Sequence, residues 1–219
     1  MNVQTQKSSF AGPAGMLEVA RDEPSGASRG VAVIAHPHPL FGGTLDNKVV
    51  QTLARAFTQA GWADLSNARA ALTIGKQALE FVGVDDPHLS YDRYTAVAGR
   101  NDPAAALTVG VTHAPYRRIL DAMTGDGAGL VIAGHTHGGQ LCLPFYGTLV
   151  TNCDLDRHRA KGVSRWWPGA GDQPSSAAPA GAAWMEVSAG LGTSPYAPVR
   201  FACRPEATLL TLTAKPAAG

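Results

Sequence analysis

Apolar residues along this chain gather in short continuous runs rather than in one long periodic stretch. VAVIAH at 31–36, LTVGVTH at 107–113 and GLVIAGH at 129–135 are each of strand length and apolar at successive positions, the pattern of strands covered on both faces. ARAALTIGKQALEFVG, residues 68–83, predicts two strands that turn at Gly75-Lys76. Between the strand-like runs the period changes. NKVVQTLARAFTQAG, residues 47–61, places Val49, Val50, Leu53, Ala54, Phe57 and Ala60 at helical spacing, with Gly61 where a helix ends. APYRRILDAMTGDG, residues 114–127, predicts a shorter helix closed by glycines. Residues 87–103 read as loop with one helical turn, and GMLEVA in the first thirty residues as a strand or hairpin. After Gln140 the pattern predicts a loop and a hairpin, a mobile low-complexity loop at 168–182, then two or three closing strands. The expected class is α/β, in the α+β sense of sheets with flanking helices.

Composition narrows this little. A 219-residue chain that is 45% hydrophobic can bury a sizeable core. Its 18 basic and 17 acidic residues are spread without a block of either sign, so no nucleic-acid partner is expected. No apolar stretch reaches the roughly 18 residues of a membrane span, and the first fifteen residues lack the basic and apolar regions of a signal peptide. No membrane association and a cytoplasmic location are the expectations. The three cysteines, Cys142, Cys153 and Cys203, show no CxxC spacing and read as buried free thiols.

The chemistry lies in the histidines. His113 ends one apolar run, and His135 and His137 end another. Ligands of α/β sheets gather beyond the carboxyl ends of strands, and several imidazoles there point to a shared metal. Gly134, Gly138 and Gly139 allow the tight bend that would present both rings of the His-x-His pair. His36 and His38 follow a third run in the same manner, in HPHP. If VAVIAH docks beside LTVGVTH and GLVIAGH, all five imidazoles converge, and Asp46 or Asp85 can add a carboxylate. Arg117 and Arg118 are candidates for a phosphate contact or for surface ion pairs. Trp166 and Trp167 are candidates for a substrate mouth or for burying a flank.

VGVDDPH, GVTHAPYRR, AGHTHGGQL, TNCDLDR and VSAGLGTSPYAPVRF together resemble the C-terminal half of calcineurin-like metallophosphoesterases of actinobacterial type, over residues 61–212. The resemblance implies a metal site at the edge of a β-sandwich, here a partial one, and hydrolysis of phosphate esters. It implies that His113 and His135 bind one metal and His137 the other. The family's Asp-x-His, Gly-Asp and Gly-Asn-His motifs are missing from the first sixty residues. One divalent ion (Zn, Mn or Fe) is therefore expected rather than two. FAGPAGMLEVA and RGVAVIAHPHPLFGGTLDNKVVQTLARAFTQAGW, within residues 8–62, instead resemble the start of a dienelactone-hydrolase-like α/β-hydrolase, whose G-x-S-x-G elbow is absent. The two resemblances meet at FTQAGWADL, residues 57–65. They imply a chimera: a grafted strand-loop-helix unit at 1–62 and a metallophosphoesterase half at 63–219, merged into one domain.

Three functional readings follow. The first is a metal-dependent phosphoesterase, impaired by the lost motifs, with a small phosphate ester as its partner. The second is a non-catalytic chimeric domain that binds one divalent ion and self-associates through exposed sheet edges. The third is an α/β-hydrolase esterase, ranked last for want of a nucleophile.

Overall fold

The computed structural model describes residues 6–12, 15–21, 30–31, 62–193 and 199–213, with side chains from residue 63 onward. Its architecture is mixed α/β. Strands β5 (Ala68–Ile74) and β6 (Gln77–Gly83) form the expected antiparallel hairpin about Gly75-Lys76. β7 (Leu107–Val111), β8 (Leu130–Ala133), β11 (Gly162–Trp166) and β12 (Ala183–Val187) complete a six-stranded sheet of order β11-β12-β8-β7-β6-β5. The neighbours β6-β7, β7-β8 and β8-β12 are parallel, and both edge pairings are antiparallel. Four central strands therefore run the same way and deliver their carboxyl ends to one side of the sheet.

Three short pairs stand outside this sheet. β1 (Gln6–Gly12) and β2 (Gly15–Arg21) form the hairpin expected around GMLEVA. β3 (Gly30–Val31) runs parallel to β4 (Trp62–Ala63). β9 (Cys142–Leu143) and β10 (Gly147–Thr148) pair across a tight turn. The β3–β4 pairing corrects one expectation. Val31, the first residue of VAVIAH, pairs with Ala63 of β4, whereas the hydrogen-bonding sides of β7 and β8 are filled by each other and by β6 and β12; residues 32–36 lie outside the described residues. The helical pattern at 47–61 lies outside the described residues.

The helical turn α1 (Tyr94–Val97) and the helix α2 (Arg117–Gly125) fall where the pattern puts them. Tyr116 has extended backbone and is the N-cap of α2. Ile119, Leu120 and Met123 share one face and are fully buried. They pack with Val82, Val131, Ala133, Met185 and Val187, so the core lies between α2 and one face of the sheet. Gly110 in mid-strand permits this approach, since a Cβ there would stand 2.7 Å from the Met123 sulfur. Trp166 is fully buried in the same core, and its indole nitrogen donates to Asp121 Oδ1 at 2.9 Å. It is a core residue, not a substrate mouth. The segment 168–182 is tied to the body: Arg159 donates to Gln173 O at 2.5 Å, and the Arg165 backbone donates to Ser175 Oγ at 3.1 Å. Of the closing strands expected after residue 182, β12 forms, while Phe201 contributes a single bridge to Leu141.

On the other face of the sheet Glu186 stands in register with Ile132 and Val163. It is 2% exposed, and neither carboxylate oxygen has a hydrogen-bond partner among the described residues. Burying an unpaired polar group costs roughly 1–3 kcal/mol by mutational measures. Glu186→Met, which keeps the volume and removes the carboxylate, should raise unfolding free energy by about that amount in urea melts. A loss of the same size would contradict this account of the position.

Candidate metal centre

The parallel ladder runs past the ends of its strands. Thr112 N donates to Ile132 O at 3.1 Å, and Gly134 N donates to His113 O at 2.9 Å. Val84 N reaches Val111 O at 3.2 Å, and Ser188 N reaches Ala133 O at 2.8 Å. In-register ends of four strands thus bring Asp85, His113, His135 and Ser188 onto one edge. The last rung, Gly134 to His113, fixes the spacing of the two histidines that flank it.

The chain then turns through left-handed backbone. His135 has φ 67°, His137 φ 51°, Gly138 φ 66°, Gly139 φ 80° and Gln140 φ 50°. For non-glycine residues each such conformation costs on the order of 1 kcal/mol, and clusters of them mark functional sites. Gly139 is obligatory for a second reason: a Cβ there would lie 2.1 Å from Thr148 Cγ2. Thr136, between the two histidines, is buried and donates to Ala160 O at 2.6 Å. Its hydroxyl also accepts from Gly138 N at 3.2 Å. Arg200 closes the loop from outside, donating to His137 O at 3.0 Å, Ala189 O at 2.7 Å and Gly190 O at 3.1 Å.

Within this frame His135 Nδ1 lies 3.2 Å from His113 Nε2, with the rings edge to face. His135 Nε2 lies 3.1 Å from Asn152 O. Two Asn152 groups meet this nitrogen: the carbonyl, which only accepts, and at 3.4 Å the side-chain amide Nδ2, which only donates. With the nearer carbonyl as partner, Nε2 carries the proton and Nδ1 presents a lone pair toward His113. A backbone carbonyl on the second ring nitrogen is the usual way a protein orients a metal-ligating histidine. Two nitrogens bound at about 2.0–2.1 Å to one tetrahedral ion stand about 3.3 Å apart. The observed separation therefore fits two ligands of a single ion. Burial pushes the His135 pKa down to about 4; the charges of His113 and His88 add to this, while the Asn152 carbonyl and Asp86 oppose it. The ring is neutral at pH 7, as a ligand must be.

The five expected imidazoles do not all gather here. His113 and His135 meet. No direct contact joins His137 to them among the described residues: its ring faces the Gly192 backbone, and burial first, then the charges of Arg200 and His113, lower its pKa. His36 and His38 lie outside the described residues, as does Asp46. A different histidine takes part. His88 stacks on His135 with ring centroids 4.5 Å apart, and its Nδ1 is 3.0 Å from Tyr116 Oη. The turn that carries it is capped by Asp86, whose Oδ1 accepts from His88 N at 2.8 Å. Sequence reasoning missed His88, Asn152 and Arg200. Each lies in a stretch whose resemblance was noted, but the contacts join positions far apart in the chain. Among the described residues no three His, Cys, Asp or Glu side chains are placed to hold a metal together. The residues present fit two ligands of an ion, and the remainder of a shell is not assembled from them.

Other candidates resolve into structural roles. Asp85 turns its Oδ1 to the Asp86 backbone N–H at 2.7 Å, and burial raises its pKa. Arg118 forms a bidentate pair with Asp92, and Arg117 pairs with Asp172 at 2.5 Å, the ion-pair alternative to a phosphate contact.

Comparison with known proteins agrees with the metallophosphoesterase resemblance. The chain is 26% identical over 156 residues to an uncharacterized metallophosphoesterase, YkuE, of Bacillus subtilis (strain 168). It is a distant relative of a metallophosphoesterase. The match covers 71% of this chain and 48% of the relative, so the chain spans about half the length of the protein it matches. Among solved structures, an α/β serine hydrolase without lid from Xanthomonas campestris is 18% identical, covers 68% of both chains and has a TM-score of 0.32. A likeness of that grade carries no argument, and the fold is read from the strands themselves. No family model matches the chain. No described helix is long and apolar enough to cross a membrane.

The lowered His135 pKa gives a pH dependence with a definite sign. Its unfolded value is 6.5 and its folded value about 4, so the unfolded state takes up a proton that the native state refuses. Stability of the metal-free protein is full above pH 6.5 and falls as pH drops toward 4. Thermal melts across that window should show a shallower slope for His135→Gln than for the wild type. Equal slopes would place the titration elsewhere.

Proposed function

We propose that the chain is a metallophosphoesterase-type hydrolase that binds one divalent ion between His113 and His135 and turns over phosphate esters weakly. The supporting observation is the facing pair of ring nitrogens, 3.2 Å apart, with the tautomer of His135 set by the Asn152 carbonyl. Bound there, Zn, Mn or Fe would supply a Lewis acid for a phosphoryl oxygen and a source of hydroxide at neutral pH. The chain's own part is to hold two neutral imidazoles rigidly at the sheet edge and to keep the loop in one conformation through Thr136 and Arg200. His88, stacked on His135, shields one side of that ring.

Impairment follows from what the chain does not carry. The Asp-x-His, Gly-Asp and Gly-Asn-His motifs of the resembled family would provide the bridging carboxylate and the remaining ligands, and residues 1–60 contain none of them. In this reading residues 1–62 are a hydrolase-like graft on a metallophosphoesterase half, and His137 is left without a second ion to bind. One observation favours the non-catalytic alternative: among the described residues β5 and β11 are unpaired sheet edges, open to pairing between copies.

Elemental analysis of purified protein, set beside a His135→Ala/His137→Ala double variant, tests the proposal. The wild type should retain close to one divalent ion per chain and the variant background only. Metal-reconstituted wild type should hydrolyse p-nitrophenyl phosphate esters slowly and leave p-nitrophenyl acetate untouched. Equal metal content in both proteins overturns the site. Inactivity on both substrates, with a cooperative melt and a multimeric mass, favours the self-associating domain.

A further inference from the structure

Two of the cysteines are brought together immediately behind the His-x-His loop. Cys142 opens β9, and Cys203 lies on the segment that runs beside it: Leu141 bridges Phe201 in parallel, and Cys142 N donates to Phe201 O at 2.9 Å. Phe201 N returns a bond to Gln140 O at 3.0 Å. Regular alternation would send side chains 142 and 203 to opposite faces of this pairing. Ala202, at φ 50°, breaks the alternation and turns Cys203 back. Both sulfurs then donate to the same oxygen, Gly138 O, at 3.4 Å from Cys142 and 3.3 Å from Cys203. Cys203 also reaches His137 O at 3.4 Å.

We propose that Cys142 and Cys203 are a disulfide-forming pair, closed by a peroxide-class oxidant, that staples the strand after the His-x-His loop to the 199–203 segment. Two thiols sharing one acceptor are neighbours. The neighbourhood has an electrostatic trace: burial raises the Cys203 thiol pKa, and Cys142 is the next contributor. Lys161 and Arg200 pull the other way and favour the thiolate. Both residues are buried, so the oxidant must be small, as hydrogen peroxide with its two heavy atoms is. Cys153, half-buried, belongs to a different cluster with Thr151 and Leu155, and remains a thiol.

The chemistry balances with hydrogen peroxide as the named co-reactant. The Cys203 sulfur attacks one peroxide oxygen; an S–O bond forms, the O–O bond breaks, and a water leaves with the thiol proton. The Cys142 sulfur then attacks that oxidised sulfur; the S–S bond forms, the S–O bond breaks, and a second water leaves with the second thiol proton. Two thiols and one peroxide give one disulfide and two waters. The product clips together the segments that carry Gln140 and Arg200, and so fixes the far side of the loop that bears His135 and His137.

The test uses the full wild-type chain and needs no variant to fold. Native protein is treated with hydrogen peroxide, quenched, alkylated in denaturant so that every remaining thiol reacts, and digested without reductant by trypsin and chymotrypsin, which separate Cys142 from Cys153 at Phe145 and Tyr146. A linked Cys142–Cys203 peptide two hydrogens lighter than its parts, with Cys153 alkylated, is the expected result. The oxidised protein should also melt several degrees higher, a gain reversed by dithiothreitol and absent in Cys142→Ser. Three alkylated thiols after peroxide, or a link that includes Cys153, overturns the proposal. The outcome is independent of metal content, so it stands or falls apart from the phosphoesterase reading.

Discussion

The backbone hydrogen bond from Gly134 N to His113 O, 2.9 Å long, is the contact on which the site depends. It is the last rung of the parallel ladder between β7 and β8. Every earlier rung, Val109 opposite Leu130 through Val111 opposite Ile132, serves to place it. A register shift of one residue would turn these strands' side chains to the opposite face and carry His113 away from His135. Register is secured by burial: Val109, Leu130, Val131 and Ala133 are all enclosed, and α2 presses Met123 against Gly110. Packing around α2 therefore sets a distance between two imidazoles that α2 never touches.

From that rung outward, the chain departs from regular backbone to present its chemistry. Three non-glycine residues with positive φ, His135, His137 and Gln140, are strain, and strain persists only where surroundings over-determine it. Here they do. Thr136 is held to Ala160, the Gly139 backbone is pressed against Thr148, and Arg200 gathers the carbonyls of His137, Ala189 and Gly190. Asn152 adds the detail that matters for chemistry, since its carbonyl leaves His135 with a lone pair toward His113. The loop is a mount for one ring pair, while the ring of the motif's second histidine faces the Gly192 backbone and Arg200.

Much of the sheet was legible in the residues. Continuous apolar runs ending in histidine named β7 and β8, the Gly75-Lys76 turn named the β5–β6 hairpin, and the glycines after Thr124 named the end of α2. Each of these signals is local. What was not legible is long-range. VAVIAH has the composition of a buried strand, but composition does not say which neighbours have vacant sides, and β6 and β12 already fill those of β7 and β8. His88 looked like an ordinary loop residue, because its partner His135 is brought to it by the sheet. Cys142 and Cys203 looked unpaired for the same reason, with sixty positions between them and a left-handed Ala202 needed to turn one toward the other.

The central claim is that His113 Nε2 and His135 Nδ1 are poised to share one divalent ion. Nitrogen-15 NMR of the imidazoles during a zinc titration tests it most directly, because each ring nitrogen reports its own protonation and ligation. The account predicts that His135 Nε2 is protonated throughout, and that His135 Nδ1 and His113 Nε2 shift together and saturate at one equivalent of zinc. Zinc binding through His135 Nε2, or a titration that leaves both nitrogens unmoved, would contradict it.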